Sequence, residues 1–540
     1  MERLIESNKL KNQREMMKIM KQHSFASCFK SMALVFGIGL ALASCANEDI
    51  AQNQKGKDSD ANLTTFSTGD PITRTSMESN GTFYWESGDK IWVKDDNGAW
   101  QQSSNAPTEK TASFKFKVPG KFTKGNTYKV YYPGKNGNKD QVSIAANQSQ
   151  AEPNTTAHFG LSGDCGMADA AWSNTKNGFA FSLAHKAAYL LFLPRTSNTV
   201  LQGCYLTKVE VNSDNDITST YTLDPTTGEL TGTGTGKQII VSTVGSGAYA
   251  NGFPLTNNAT SAATNGAYVV VKPGTHILKI RYWVKDIATG IEGTITKTLP
   301  SATYDQNKYY NITANLDVRV YDGDHYYMWD AQQQYWYGYE WTRHLPGNTG
   351  QPILNNNSSP NYPQSNSDVS RWYNEYYPGY GVSNSATHTS CKDLPNVNEM
   401  TWYAAKGEPR WDGDELWTTM GHLYKGGTWF KKKANISGFD ANKAVDGRDW
   451  RTNLGGNTWS VSQTLPDAAD ANNYFYLPAL GCYDLGRRIG VGSNGGGWYW
   501  SSSSSPSINN SAYGLLPYGG GVYVGSSLRR NGFWAEALFE

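Results

Sequence analysis

Short runs in which apolar and polar residues alternate, each closed by Gly, Pro, Asn or Asp, limit this chain more than any other feature. Phe114-Lys115-Phe116-Lys117-Val118 and Tyr128-Lys129-Val130-Tyr131-Tyr132-Pro133 are two of them. Leu206-Thr207-Lys208-Val209-Glu210-Val211 and the run from Ile277 to Val284 follow the same rule, and Ala188 to Leu193 is nearly all apolar. In a strand, successive side chains point to opposite faces, so a period of two buries one face and hydrates the other. Turn residues at short intervals suit antiparallel strands, whereas parallel βαβ units need crossovers of a dozen residues or more. No helical window of useful length competes between the N-terminal leader and residue 320. The expected class is mainly β, built from sandwiches.

The N-terminus reads as an export leader. Lys18, Lys21 and Lys30 precede the apolar core Met32 to Leu42 (MALVFGIGLAL), which is too short to span a bilayer comfortably. A start at Met16 would give a leader of ordinary length. Leu42-Ala43-Ser44-Cys45 resembles the lipobox of bacterial lipoproteins. That resemblance implies a signal peptide over 1–44, lipid on Cys45, a linker over 45–60, and anchoring to a membrane rather than spanning of it. Asn47-Glu48-Asp49 resembles the surface-export signal of Bacteroidetes lipoproteins, which implies the outer membrane and the cell surface.

The formal net charge of +1 gives no electrostatic reason to expect nucleic acid as a partner. Cys165, Cys204, Cys391 and Cys482 follow the leader; Cys391 and Cys482 can pair within one domain, but four cysteines allow three full pairings. No Cys/His spacing suggests a metal, and no cofactor is expected.

Tryptophan marks a boundary: five lie between Cys45 and Val318, thirteen between Arg319 and Glu540. Before it, PITRTSMESNGTFYWESGDKIWV (Pro71 to Val93), FSLAHKAAYLLF (Phe181 to Phe192), LTKVEV (Leu206 to Val211) and KYYNITANLDV (Lys308 to Val318) resemble, in that order, the fimbrillin-like pilus proteins of Bacteroidetes. The resemblance implies two transthyretin-like β-sandwiches, over 61–196 and 197–318. It also implies cutting after Arg74, loss of the preceding strand, and β-strand addition by a neighbouring pilus subunit into the groove left behind.

Beyond Arg319 the text changes. Asn396 or Asn398 is placed to cap a helix carrying Met400, Trp402, Tyr403 and Ala404. NYFYLPALGCYDLGRRIGVGSNGGGWYWSSS (Asn473 to Ser503) resembles the C-type-lectin-like domains of bacterial surface proteins, and more narrowly the targets of diversity-generating retroelements. An α+β lectin-like domain over 319–540 is implied, with a variable segment over 501–531. That segment contains no Lys, Glu, Gln, Met or Trp, types that adenine-directed mutagenesis of AAC or AAT codons does not reach.

Within the segment Leu515, Pro517, Val522 and Val524 alternate with Gly514, Leu516, Tyr518, Gly521, Tyr523 and Gly525. The first set is expected in the core. The second, with Ser503, Ser505, Ser507, Asn509, Asn510, Gly520, Ser526, Ser527, Leu528, Arg530 and Asn531, is expected to meet a surface protein or glycan. A mixture of Tyr, Ser, Gly and Asn also characterises antibody binding loops.

Enzyme readings fare worse. Asp412, Asp414 and Glu415 are not paired at a defined separation and read as a solvated acidic loop. No nucleophile elbow, phosphate loop or HExxH motif is present. Glu408-Pro409-Arg410 lacks the Asn of calcium-dependent sugar lectins, so no calcium is implied. The expectation is a non-enzymatic surface adhesin, at the tip of a pilus or accessory to it; a structural pilus subunit or a lectin of fixed specificity is the alternative.

Overall fold

The computed structural model describes residues 22–24, 63–68, 76–77 and 83–539, except 344, 346–349, 353–356 and 376–384. Cys45 and Arg74 lie outside the described residues. The fold is mainly β. The chain divides into two compact units: residues 1–195, 206–278 and 299–315 in the first, and 196–205, 279–298 and 316–540 in the second.

In the first unit, the strands Trp100–Gln102, Trp92–Lys94, Tyr128–Tyr132, Gly166–Ser173, Gly178–Phe181, Leu63–Thr68 and Lys115–Pro119 are neighbours in that order. Their alternate residues fill one core with Phe66, Trp85, Val93, Phe116, Val130 and Phe179. Leu63–Thr68 is an inner strand, parallel to Gly178–Phe181 and antiparallel to Lys115–Pro119. Ala188–Arg195 lies between Lys308–Asn315, parallel, and Ala267–Val271, antiparallel. Flanked on both sides, it reads as a nearly continuous apolar run. The three residues Gln22–Ser24 pair antiparallel with Lys308–Tyr310.

The two sandwiches expected to meet near Ser197 fall within one compact unit, apart from two insertions that group with the C-terminal residues. The first, 196–205, is pinned by Asp317, which accepts hydrogen bonds from Thr196 Oγ1 (2.6 Å), Ser197 N (2.7 Å) and Ser197 Oγ (2.6 Å). Burial alone would push the Asp317 carboxyl up, but these donors and the Asn198 N–H hold it well below the usual carboxylate range.

In the second unit the helix Val397–Lys406 carries a capping box: Asn396 accepts from the Glu399 N–H, and the Glu399 carboxylate accepts from the Asn396 N–H. Met400, Tyr403 and Ala404 turn into a core shared with Trp417, Phe430, Trp450, Phe475 and Tyr499. Arg410–Thr419, His422–Lys431 and Tyr474–Pro478 form an antiparallel ladder on that core. Cys391 and Cys482 are buried and unbridged, as are Cys165 and Cys204. Burial pushes the Cys391 thiol up to about 12.

One sequence reading is corrected here. Asp412 and Glu415 are buried and are not part of a solvated loop. Asp412 accepts from Arg281 Nη2 (2.9 Å) and Trp429 Nε1 (3.1 Å). Glu415 accepts from Thr294 Oγ1 (3.0 Å), Thr296 N (2.9 Å) and Thr296 Oγ1 (2.7 Å). Burial, reinforced by the Asp412 charge, pushes the Glu415 carboxyl up to about 7.

Candidate functional site: the C-terminal hairpin

Tyr499–Ser504, Ser511–Tyr518 and Gly521–Leu528 are consecutive antiparallel strands, and Asn457–Trp459 covers the outer side of Gly521–Leu528. The last two long strands form a hairpin closed by Gly519 and Gly520, with Tyr518 opposite Gly521. Leu515 faces Val524 and Pro517 faces Val522 across it. Leu515, Val522 and Val524 are fully buried, packed in one core with Tyr513, Trp450 and Trp534. The alternation read from the sequence is therefore a real face.

The opposite face carries Gly514, Leu516, Tyr518, Gly521, Tyr523 and Gly525. Leu516 and Tyr523 are half-buried there, opposite each other, while Gly514, Gly521 and Gly525 are buried. A Cβ at Gly525 would run into the Tyr523 ring and hydroxyl. Large side chains at both 523 and 525 are thus incompatible unless one moves.

Full exposure is confined to the hairpin's two ends. At one end lie Tyr518, 42% exposed, and Gly520. At the other lie Ser507, Asn509, Asn510, Leu528 and Arg530, with Ser526, Ser527 and Asn531 half-buried beside them. Seven residue steps of about 3.3 Å separate the ends by about 23 Å. One compact ligand contacts one end or the other, not both.

Ser503 and Ser505 do not belong to this surface, and both are buried. Ser503 Oγ accepts from the Val397 N–H at the helix start (3.1 Å). Ser505 N donates to the Ser511 carbonyl (3.1 Å). These serines serve backbone groups and present nothing outward.

Arg529 is a residue the sequence reading passed over. Its guanidinium lies 4.5 Å from the centroid of the Trp329 ring, and it donates to the carbonyls of Ser511 (3.0 Å) and Asn374 (3.2 Å). In strand register Arg529 points inward and Arg530 outward; two adjacent arginines with opposite fates are the available signal. Among the described residues no three His, Cys, Asp or Glu side chains gather as a metal site, and no helix is long and apolar enough to cross a membrane.

No protein-family model matches the sequence, and no curated protein matches it. Several solved structures are similar to part of it. A candidate cell adhesion protein from Bacteroides ovatus shares 15% identity at a TM-score of 0.29, covering 47% of this chain and 93% of its own. One from Bacteroides uniformis shares 17% at 0.26, covering 48% and 94%. The fimbrial anchor protein Mfa2 from Porphyromonas gingivalis shares 11% at 0.21, covering 44% and 82%. Likenesses this weak assign neither an activity nor a partner to this chain.

Proposed function

We propose that this chain is a surface-displayed lipoprotein adhesin, at the tip of a pilus or accessory to it, that binds a surface protein or glycan through the C-terminal hairpin. The observation that carries the reading is the division of that hairpin. Leu515, Val522 and Val524 are spent on the core, and the Tyr518 ring, the Ser507 hydroxyl and the Arg530 guanidinium are left to solvent at the ends. Such residues supply contact area and adaptable hydrogen bonds at low entropic cost.

The buried Ser503 and Ser505 and the enclosed glycines narrow any diversified surface to Ser507, Asn509, Asn510, Leu516, Tyr518, Gly520, Tyr523, Ser526, Ser527, Leu528, Arg530 and Asn531. The same observation favours a fixed-specificity binder as the second reading. The surrounding DNA decides between them: a reverse transcriptase and a near-copy of the last coding segment differing at adenines belong to the first, their absence to the second.

Assembly by strand addition is supported by the inner position of Leu63–Thr68. Its end lies six positions before Arg74, so a cut there detaches a strand with partners on both sides. Anchoring rests on Cys45, and Cys45→Ser is expected to leave the precursor unprocessed and lower membrane recovery.

The binding experiment uses the full chain on arrays of glycans and surface proteins. Because one compact ligand meets one end only, either Tyr518→Ala and Tyr523→Ala near the turn, or Arg530→Ala at the far end, is expected to weaken binding about ten- to a hundredfold, roughly 1–3 kcal/mol. Leu515→Ala, Val522→Ala or Val524→Ala is expected instead to cost about 1–4 kcal/mol of stability. Unchanged binding in all three members of the first set overturns the hairpin as the contact surface.

A further inference from the structure

The second unit holds a cavity of about 190 Å³ that shares no residue with the C-terminal hairpin. It is small beside the roughly 300–1,000 Å³ clefts that take larger organic ligands, so it has room for one small group. Three cations line it, Lys279, Arg281 and Lys432, against one anion, Asp412. Asp412 is already held by Arg281 and Trp429. The wall therefore keeps an excess of positive charge.

Arg281 is buried, and although its Nη2 donates to Thr294 and Asp412, its Nε has no hydrogen-bond partner. The planar guanidinium, which lines the cavity, is the side chain best shaped for a carboxylate. Lys279 Nζ donates to the Pro466 carbonyl, while half-buried Lys432 makes no ion pair with a described residue.

The remaining walls suit something other than a bare anion. Strand register pairs Lys431 with Tyr474 and Trp429 with Tyr476, which puts the Trp429 and Tyr474 rings on one side of the ladder. The polar atom of each ring is committed: Trp429 Nε1 donates to Asp412, and Tyr474 OH donates to Glu408 (3.1 Å). What the two rings offer the cavity is apolar surface. Thr296 Oγ1 donates to Glu415 (2.7 Å) and Thr298 Oγ1 to Asn472 Oδ1 (2.7 Å), so the two hydroxyls offer the cavity acceptor oxygens and the Asn472 amide nitrogen offers a donor.

We propose that this cavity binds a single carboxylate-bearing sugar residue, of the uronic- or sialic-acid class. Arg281 and Lys432 supply the charge for the carboxylate, the rings of Trp429 and Tyr474 meet the sugar's C–H surface, and the threonines and Asn472 meet its hydroxyls.

The test titrates the full chain with glucuronate, N-acetylneuraminate, glucose and acetate, by calorimetry at low and high salt. One of the two acid sugars is expected to bind, at least about tenfold tighter than glucose or acetate, and more weakly as salt rises. Lys432→Gln is expected to weaken that binding about tenfold, and Lys432→Glu more, with the melting temperature unchanged, since the side chain is half-exposed and unpaired. Arg281→Lys keeps the charge but loses the planar fork and is expected to weaken it as well. No binding of either acid sugar at millimolar concentration overturns the proposal. So does glucose binding as tightly, acetate binding as tightly, or Lys432→Glu binding like the parent protein.

Discussion

Removing the strand Leu63–Thr68 tests the assembly reading most directly, and its cost can be worked from one residue. Phe66 is fully buried; its ring stacks on Phe179 at 5.0 Å and meets Phe122 edge-on at 5.1 Å. Burying such a side chain contributes about 1.5–3 kcal/mol, and each aromatic pair about 0.5–1.5 kcal/mol more. Phe66→Ala, which also leaves a cavity, is expected to cost about 3–5 kcal/mol. For a unit of this size that lowers the melting point by roughly 6–20 °C. Hydrogen exchange localises the effect, because residues 115–118 and Gly178–Phe181 pair with the strand from either side. Both stretches are expected to lose protection in Phe66→Ala and, further, in chain cut after Arg74 and freed of the released peptide. A synthetic peptide carrying residues 62–69 is expected to restore it. A melting shift below about 4 °C for Phe66→Ala, or unchanged protection after removal of the strand, would refute the claim that this strand fills a groove another strand can occupy.

Further outcomes follow from single side chains. Arg529→Ala is expected to cost about 3 kcal/mol or more in thermal melts, through lost charge-assisted hydrogen bonds and the Trp329 contact, whereas Arg530→Ala changes stability by under about 0.5 kcal/mol. Asn396→Ala removes the helix cap at a cost of about 1 kcal/mol. Burial pulls the His158 imidazole down to about 4. A base depressed in the fold takes up its proton first in the unfolded chain, so stability falls as pH drops from about 6.5 to 4, and in His158→Gln that fall is expected to flatten. Glu415 runs the other way. Its raised carboxyl gives stability that is full below about 4.3 and lost as pH rises through 7, so Glu415→Gln is expected to melt above the parent protein at pH 8 and no higher at pH 4.

What the sequence displayed was local, and what it concealed was long-range. Alternation marked Tyr128–Tyr132 and Tyr205–Ser213 because a strand's burial pattern is written in adjacent residues. The same rule separated Leu515, Val522 and Val524 from their neighbours. Nothing local says that Lys279–Thr298 joins the C-terminal residues; that depends on Arg281 reaching Asp412, 131 positions away. An acidic cluster has the same composition in water and beside a buried guanidinium, which is why Asp412 and Glu415 read as solvated.

The serine run teaches the complementary lesson. Five serines from Ser501 to Ser505 look like surface, yet all are buried. The reason lies in the groups they face. Trp329 Nε1 donates to the Ser501 carbonyl (2.9 Å), and Ser501 Oγ donates to the Tyr513 carbonyl (2.9 Å). The Val397 N–H, one of the donors that every helix start leaves without an internal partner, finds Ser503 Oγ. A hydroxyl is what such a buried position takes, since an apolar side chain would strand the donor. Ser503→Ala is therefore expected to lower stability by about 1–3 kcal/mol with ligand binding intact, while exposed Ser507→Ala leaves stability alone. Loss of binding in Ser503→Ala without loss of stability would return that serine to the contact surface and reverse the division between core and ligand argued for the hairpin.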